Sequence, residues 1–413
     1  MQDREFNTDG VQQLQAAMTE LVGSGDRPGV VTLVSQGCHV HVDALGTHEF
    51  GGGPPMRRDT IFRIASTTKP IVAAVTLSLV DEGKLRVDDP IDRWLPELTN
   101  RRVVKDLRGP IEETVPARRP ILVSDLLTMR MGAGWIMAPG DYPIQSVFMQ
   151  SDLLVPYRMP LLSLDEWLRR LSVLPLMDHP GDVWRYDLSM TVLGALIMRV
   201  TDKPLGDAMA ERIFKPLGMA DTGFSVAPEK LNRLPPCYRP NRQTGAMDVW
   251  DPAGPTSFWA KAPAFAGGHG GLVSTADDYL AFARMMMSFG KAADGRTVLS
   301  RQSVRTMMSD HVPSEVKTRS PFSPDFWDKR GWGYGGATVK RPVPGEPRRG
   351  FGWEGGYGVC AYWDDQAELF GIVLSQCLID SPEYPPLYRQ FWDAVRKMAD
   401  DEQRGTSKRS HGR

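Results

Sequence analysis

Phe62-Arg63-Ile64-Ala65-Ser66-Thr67-Thr68-Lys69 runs directly into Pro70 and the apolar stretch Ile71 to Val80. The segment reads as a short strand turning into a buried helix, since proline is tolerated in a first helical turn and Gly83 can end the helix. Ser66 then sits at the helix N-terminus with Lys69 one turn on, along the same face. The dipole of the helix favours negative charge developing at that end. This SxxK spacing suits a nucleophile and its proton partner. It recurs at Ser288–Lys291 and Ser314–Lys317, but Ser288 follows the helix DYLAFARMMM just before Gly290, and Ser314 lies in the polar loop HVPSEVKTRS. Only Ser66 has the strand-to-helix context. Its plain alternative is a helix N-cap.

Outward from this segment, the two ends of the chain mirror each other. Val11, Leu14, Met18, Leu21 and Val22 recur at helical spacing, and PGVVTLVSQGCHVHVDALG follows as two strands joined at Gln36-Gly37. Near the other end GVCAYWDD and ELFGIVLSQ form a second hairpin, and Leu387, Phe391, Val395 and Met398 share one helical stripe. Antiparallel strands flanked by an N-terminal and a C-terminal helix predict an α+β fold. Between the ends, VSDLLTMR, LDEWLRRLSV and TVLGALIMRV predict a large, mainly helical insertion. The expected division is a sandwich domain of 8–80 with 265–400, a helical domain of 81–264, and a disordered tail of 401–413. Met131 to Pro160 and Pro321 to Gly336 have neither period and read as long ordered loops that border a site.

Composition narrows the partners. The 413 residues carry 49 basic and 50 acidic side chains, a formal charge of -1, so no global field is available for nucleic acid or an anionic membrane. No apolar run is long enough for a membrane span. The opening MQDREFNTDG lacks the apolar segment of a secretory signal, and the expected location is cytoplasmic. Cys38, Cys237, Cys360 and Cys377 form no CxxC pair and read as reduced, buried thiols. The histidines show no ligand spacing, His39 and His41 sharing a strand face, so neither metal nor cofactor is expected. The expected partner is a small ester or amide substrate.

Two further elements carry chemistry. Trp184-Arg185-Tyr186-Asp187-Leu188-Ser189 precedes the helix TVLGALIMRV, which puts Tyr186 at a loop-to-helix junction. A phenol is a poor base at neutral pH, but an ammonium such as that of Lys69 beside it lowers its pKa. A core aromatic with a satisfied hydroxyl is the competing reading. Phe351-Gly352-Trp353-Glu354-Gly355-Gly356-Tyr357-Gly358 leads into the last hairpin, and its glycines allow close backbone approach. Backbone N–H groups of Ser66 and Gly356 can bind an oxyanion. A simple Gly-rich turn fits the same stretch.

The order SxxK, Tyr motif, Gly-rich strand closely resembles the class C β-lactamase and serine esterase superfamily over residues 10–395. Leu85 to Leu98 (LRVDDPIDRWLPEL), Leu122 to Gly134 (LVSDLLTMRMGAG), Ile213 to Phe224 (IFKPLGMADTGF) and Gly270 to Asp278 (GGLVSTADD) are similar to that family as well. The resemblance implies a penicillin-binding-protein-like fold, Ser66 as nucleophile, Lys69 as its proton partner, Tyr186 as general base and acid, and an acyl-enzyme. It also implies Trp353, Gly355 and Gly356 as the oxyanion and substrate-binding strand. Two departures stand out. Leu188 occupies the Asn position of the family's Tyr-x-Asn, with Ser189 as a partial substitute. The Lys-Thr-Gly of penicillin-binding enzymes is Trp353-Glu354-Gly355 here, which removes a cation and adds an anion where a substrate carboxylate docks. Trp at this place is similar to the carboxylesterase branch, whose substrates are neutral esters.

The expected function is therefore ester cleavage through an acyl-enzyme on Ser66. The alternatives are a β-lactamase or D-amino-acid peptidase or amidase, acyl transfer on the same site, and a catalytically silent scaffold. An α/β-hydrolase is disfavoured because no GxSxG elbow is present, although Gly268-His269-Gly270-Gly271 is close to an HGGG loop. Met131, Trp135, Met137, Tyr142, Phe148 and Met149, with Phe322, Phe326, Trp327, Trp332 and Tyr334, either line an acyl pocket or cap the helical core.

Overall fold

A computed structural model describes residues 6–155, 159–379 and 384–400. The strands that build its framework are, in chain order, β1 (Gly29–Gln36), β2 (His39–Glu49), β3 (Gly52–Pro55), β4 (Phe62–Arg63), β5 (Val273–Ser274), β6 (Arg330–Trp332), β7 (Ala337–Val339), β8 (Phe351–Gly355), β9 (Val359–Asp364) and β10 (Leu369–Ser375). Among the described residues, eight of these form one sheet in the order β6-β7-β8-β9-β10-β1-β2-β3, while β4 pairs with β5. Every pairing is antiparallel. That excludes the parallel sheet of an α/β-hydrolase and leaves the α+β fold with terminal helices.

β1 is central, and its β-branched run GVVTLVSQ is buried along its whole length. One face, through Val30, Val34, Tyr362 and Val373, packs against Leu14, Met18, Phe391 and Val395 of two helices, α1 (Thr8–Gly23) and α5 (Pro386–Asp400). The two terminal helices therefore lie together on the same face instead of enclosing the sheet between them. Each has a single apolar stripe, and side by side they bury both stripes on one sheet face. The opposite face, through Val31, Leu33, Ala361 and Ile372, packs against α2 (Thr68–Asp81) and α4 (Ala276–Met287). α2 is buried on all sides from Thr68 to Leu79, as its apolar composition requires.

Residues 81–264 contain several helices, among them Leu164–Val173 and α3 (Leu188–Thr201), together with two short antiparallel strand pairs. Leu168, Leu171 and Leu193 belong to the same apolar cluster as Val31 and Ile372, so this region and the sheet share one core. The two stretches expected as loops hold regular structure: Pro143–Gln150 is helical, and Phe326–Lys329 is a helical turn leading into β6. Their elements are too short to show a period. Residues 156–158 of the first stretch and the tail 401–413 lie outside the described residues. Cys237, Cys360 and Cys377 are buried free thiols, but Cys38 is exposed because it sits in the β1–β2 turn.

An ion pair anchors the approach to Ser66. Arg63 of β4 is buried, donates from Nε to Asp251 Oδ2 at 2.7 Å and from Nη1 to the Pro235 carbonyl at 2.7 Å, and stacks over Trp259. Asp251→Ala leaves this guanidinium buried without its counter-charge, so a loss of about 3–5 kcal/mol of stability is expected. Urea unfolding, with the midpoint lowered at unchanged slope, checks it.

Candidate active site

Ile64 donates its N–H to the Leu272 carbonyl at 2.9 Å, and Tyr279 Oη of α4 donates to the Thr67 carbonyl at 3.0 Å. The chain between these anchors turns sharply. Ala65 adopts φ +45°, a left-handed conformation unusual for alanine, and a single helical turn, Ala65–Thr67, leads into α2. Ser66 is thus presented at the rim of α2 by a backbone held from two neighbouring elements.

Lys69 lies one turn on and is fully buried. Its Nζ donates to Ser66 Oγ at 2.8 Å and to the carbonyl of His269, and pairs with Asp187 Oδ1 at 2.7 Å. Tyr186 packs its ring against the same ammonium, 4.6 Å from the ring centroid. The Tyr186 oxygen accepts a hydrogen bond from Trp353 Nε1 at 2.6 Å, and the nearby Ser66 hydroxyl acts to lower its pKa. The structure therefore brings Ser66, Lys69, Tyr186 and Trp353 into one cluster from three separate stretches of chain. Neither Ser288 nor Ser314 borders the cavity over this group.

Charge in this cluster departs from the sequence expectation in one respect. Burial alone would lower the Lys69 pKa, but the Asp187 carboxylate and the Tyr186 oxygen raise it, so the lysine is an ammonium. Burial likewise raises the Tyr186 pKa, and the lowering by Lys69 does not overcome it because Asp187 adds to the rise. The expected lowering by Lys69 is present but outweighed. Burial would raise the Asp187 pKa, yet Lys69 and His269 pull it below the ordinary value.

Asp187 was missed as a site residue. The amide absent at Leu188 is replaced by this carboxylate one position earlier, not by Ser189, whose buried Oγ has no hydrogen-bond partner among the described residues. The signal was available: a lysine inside an apolar helix demands a nearby carboxylate, and Asp187 stands beside the motif tyrosine. His269 was likewise missed as a support for Lys69. Its Nδ1 is 2.8 Å from Thr191 Oγ1 of α3, which orients the loop that offers its carbonyl to the lysine.

β8 crosses the Ser66 turn at close range. A Cβ added to Gly355 would sit 2.6 Å from the Ile64 carbonyl oxygen. Strand alternation puts the neighbours Trp353 and Glu354 on opposite faces. Trp353 meets Tyr186 and packs on Trp332, ring centroids 4.7 Å apart. The Glu354 carboxylate takes hydrogen bonds from Arg330 Nη1 at 2.6 Å and Tyr362 Oη at 2.8 Å. The added anion is thus paired with a buried arginine, which Glu346 shares at 2.9 Å.

A cavity of about 1010 Å³ opens above Ser66, bordered by Trp135, Met137, Met159, Tyr186, Trp259, Phe322, Phe326, Trp353, Gly355 and Gly356. Of the loop residues proposed for a pocket, Trp135, Met137, Phe322 and Phe326 line it. Met131, Tyr142, Phe148, Trp332 and Tyr334 are buried in the core, and Met149 is exposed. The two roles offered for these stretches are divided among their residues. Among the described residues no group of three or more His, Cys, Asp or Glu side chains is placed to hold a metal ion, and no helix is long and apolar enough to cross a membrane.

Gly355→Ala is expected to push β8 off the nucleophile turn, at a cost of about 1–3 kcal/mol from overpacking. Urea unfolding, run beside labelling of Ser66 by a fluorophosphonate, should show both a lower midpoint and slower labelling.

Comparison with known proteins agrees with this architecture. An uncharacterized protein of Mycobacterium tuberculosis is 39% identical over 379 residues, 90% of each chain. Esterase EstB of Burkholderia gladioli is 31% identical over 376 residues, covering 86% of this chain and 88% of its own. In structure, EstCE1, described as a hydrolase with promiscuous acyltransferase activity, superimposes with a TM-score of 0.75 at 23% identity over 94% of this chain and 98% of its own. Since the Beta-lactamase family model matches residues 14–394 as well, the chain belongs to the beta-lactamase family.

Proposed function

We propose that the protein is a serine hydrolase that cleaves neutral carboxylic esters through an acyl-enzyme on Ser66. The observation that carries this reading is the cluster in which Trp353 donates to Tyr186 and Lys69 donates to Ser66, on the floor of a cavity bordered by aromatic and methionine side chains. Similarity to the esterase EstB supports the ester as substrate.

In the proposed reaction the Tyr186 oxygen, as phenolate, takes the Ser66 Oγ proton while Oγ bonds to the ester carbonyl carbon. The carbonyl electron pair moves to oxygen, where the backbone N–H groups of Ser66 and Gly356 receive it. Collapse breaks the bond to the leaving alkoxide, which takes the proton back from Tyr186. Water then repeats the sequence on the acyl-enzyme, releasing the acid and restoring Ser66. Lys69 keeps its proton throughout. Its ammonium hydrogens are engaged by Ser66, Asp187 and His269, and its charge stabilises the phenolate.

Ser66→Ala should abolish ester hydrolysis with the fold retained, and Tyr186→Phe should lower kcat by about a hundredfold or more with little change in KM. Ser288→Ala should hydrolyse esters at the unmodified rate. Full activity in the Tyr186→Phe enzyme across the pH range would assign the base elsewhere.

Substrate charge gives a separate test. A panel of p-nitrophenyl esters beside a chromogenic cephalosporin should show faster turnover of the esters, because Trp353 supplies a neutral donor where a carboxylate reader needs a cation. Trp353→Lys should raise the ratio of cephalosporin to ester turnover. Faster cephalosporin than short-chain ester turnover by the unmodified enzyme would put the β-lactamase reading first.

A further inference from the structure

Asp187 is the N-cap of α3, yet it does not cap it. Aspartate ordinarily turns its side chain back onto the first N–H groups of the helix. Here it makes no such bond, and its backbone takes φ +89° and ψ -62°. That conformation is strained for any residue but glycine. What the carboxylate reaches instead is the Lys69 ammonium, 2.7 Å away, at the foot of the cavity. The backbone beside it is fixed by a neighbouring loop, for Trp135 donates its N–H to the Tyr186 carbonyl at 3.0 Å. A cap bond is forgone and an unfavourable backbone accepted at the one position that puts an anion against the buried lysine.

We propose that Asp187 is a positioning residue that holds Lys69 as an ammonium and offsets its charge, and so sets the pH range in which Tyr186 can act as base. The inference rests on the catalytic reading given above. The titratable groups facing Asp187 are Lys69 from α2, Tyr186 next to it in the chain, and His269 from the loop before β5. On the opposite wall β8 contributes Trp353, an uncharged donor, and Glu354, whose carboxylate is paired with Arg330. Asp187 is therefore the carboxylate that pairs with Lys69.

The direction of its effect follows from the charges. An anion beside Tyr186 disfavours the phenolate, and an anion beside Lys69 favours the ammonium. Asp187 thus raises the pH at which Tyr186 loses its proton and the pH at which Lys69 loses its own. Ester hydrolysis needs the first proton off and the second on. Both limbs of the pH profile are displaced upward, and activity of the natural enzyme climbs through the alkaline range.

Asp187→Asn tests this, since asparagine tolerates positive φ and still offers Lys69 an oxygen but carries no charge. Hydrolysis of methyl butyrate, followed by proton release at fixed pH, gives kcat/KM against pH for the natural enzyme, Asp187→Asn and Asp187→Ser. Thermal unfolding and fluorophosphonate labelling of Ser66 accompany each protein. The expected result is that both limbs move to lower pH in the two variants, by about one unit or more, the scale of a removed charge at this range. Asp187→Ser guards against an asparagine that misfolds, because either variant alone reports the shift. A fall in kcat/KM with the limbs unmoved would make Asp187 purely structural and overturn the assignment. If the natural enzyme itself fails to label at Ser66, the catalytic reading falls first and the role of Asp187 with it; labelling with unmoved limbs removes the Asp187 role alone.

Discussion

The site is organised around a single electrostatic demand, that of a lysine ammonium with no exposure to water. A charge so placed is tolerated only if its hydrogens are bonded and its field is answered. Ser66 Oγ, the His269 carbonyl and the Asp187 carboxylate meet that demand from the turn before α2, from the loop before β5 and from the start of α3. Each lies far from the others in sequence, so satisfying one ammonium draws three separate parts of the chain to a common point. The strained backbones of Ala65 and Asp187 flank this point, where the rest of the core is firm enough to hold them.

Part of the wall around that charge is aromatic. Trp353 takes the place at which relatives that bind carboxylates carry a cation, and its indole N–H keeps the hydrogen bond to the Tyr186 oxygen without the charge. The same ring packs on Trp332 and joins the aromatic wall formed with Phe322 and Phe326. One side chain thereby holds the Tyr186 oxygen, carries no positive charge and extends the aromatic wall.

Much of this was legible in the sequence. The β1–β2 and β9–β10 hairpins show because β-branched runs alternate with turn residues, and Ser66 shows because a strand, an SxxK and an apolar helix coincide. The placement of α1 and α5 on one face could not be read, since a single apolar stripe does not say which face of a sheet it covers. β6 and β7 were hidden because each has three residues, too few for any period. Asp187 was in the quoted motif but unassigned: its contact with Lys69, 118 residues earlier by number, depends on a φ that sequence does not display. The pairing of Glu354 with Arg330 could not be read, since the two lie on separate strands whose register the sequence does not display.

The order of strands also bears on when the molecule can come into being during synthesis. β1 pairs with β10, Val30 opposite Ser375, and α1 packs on α5. An early strand of the chain therefore waits for nearly the last before its second edge is covered. Until then an apolar strand and the stripe of α1 are bare, which is the circumstance in which nascent chains associate wrongly. β8, which carries Trp353 to Tyr186, belongs to the same late hairpin region. A ribosome-bound chain that already holds Ser66, Lys69 and Tyr186 thus lacks the Trp353 partner of Tyr186 until its C-terminal strands arrive.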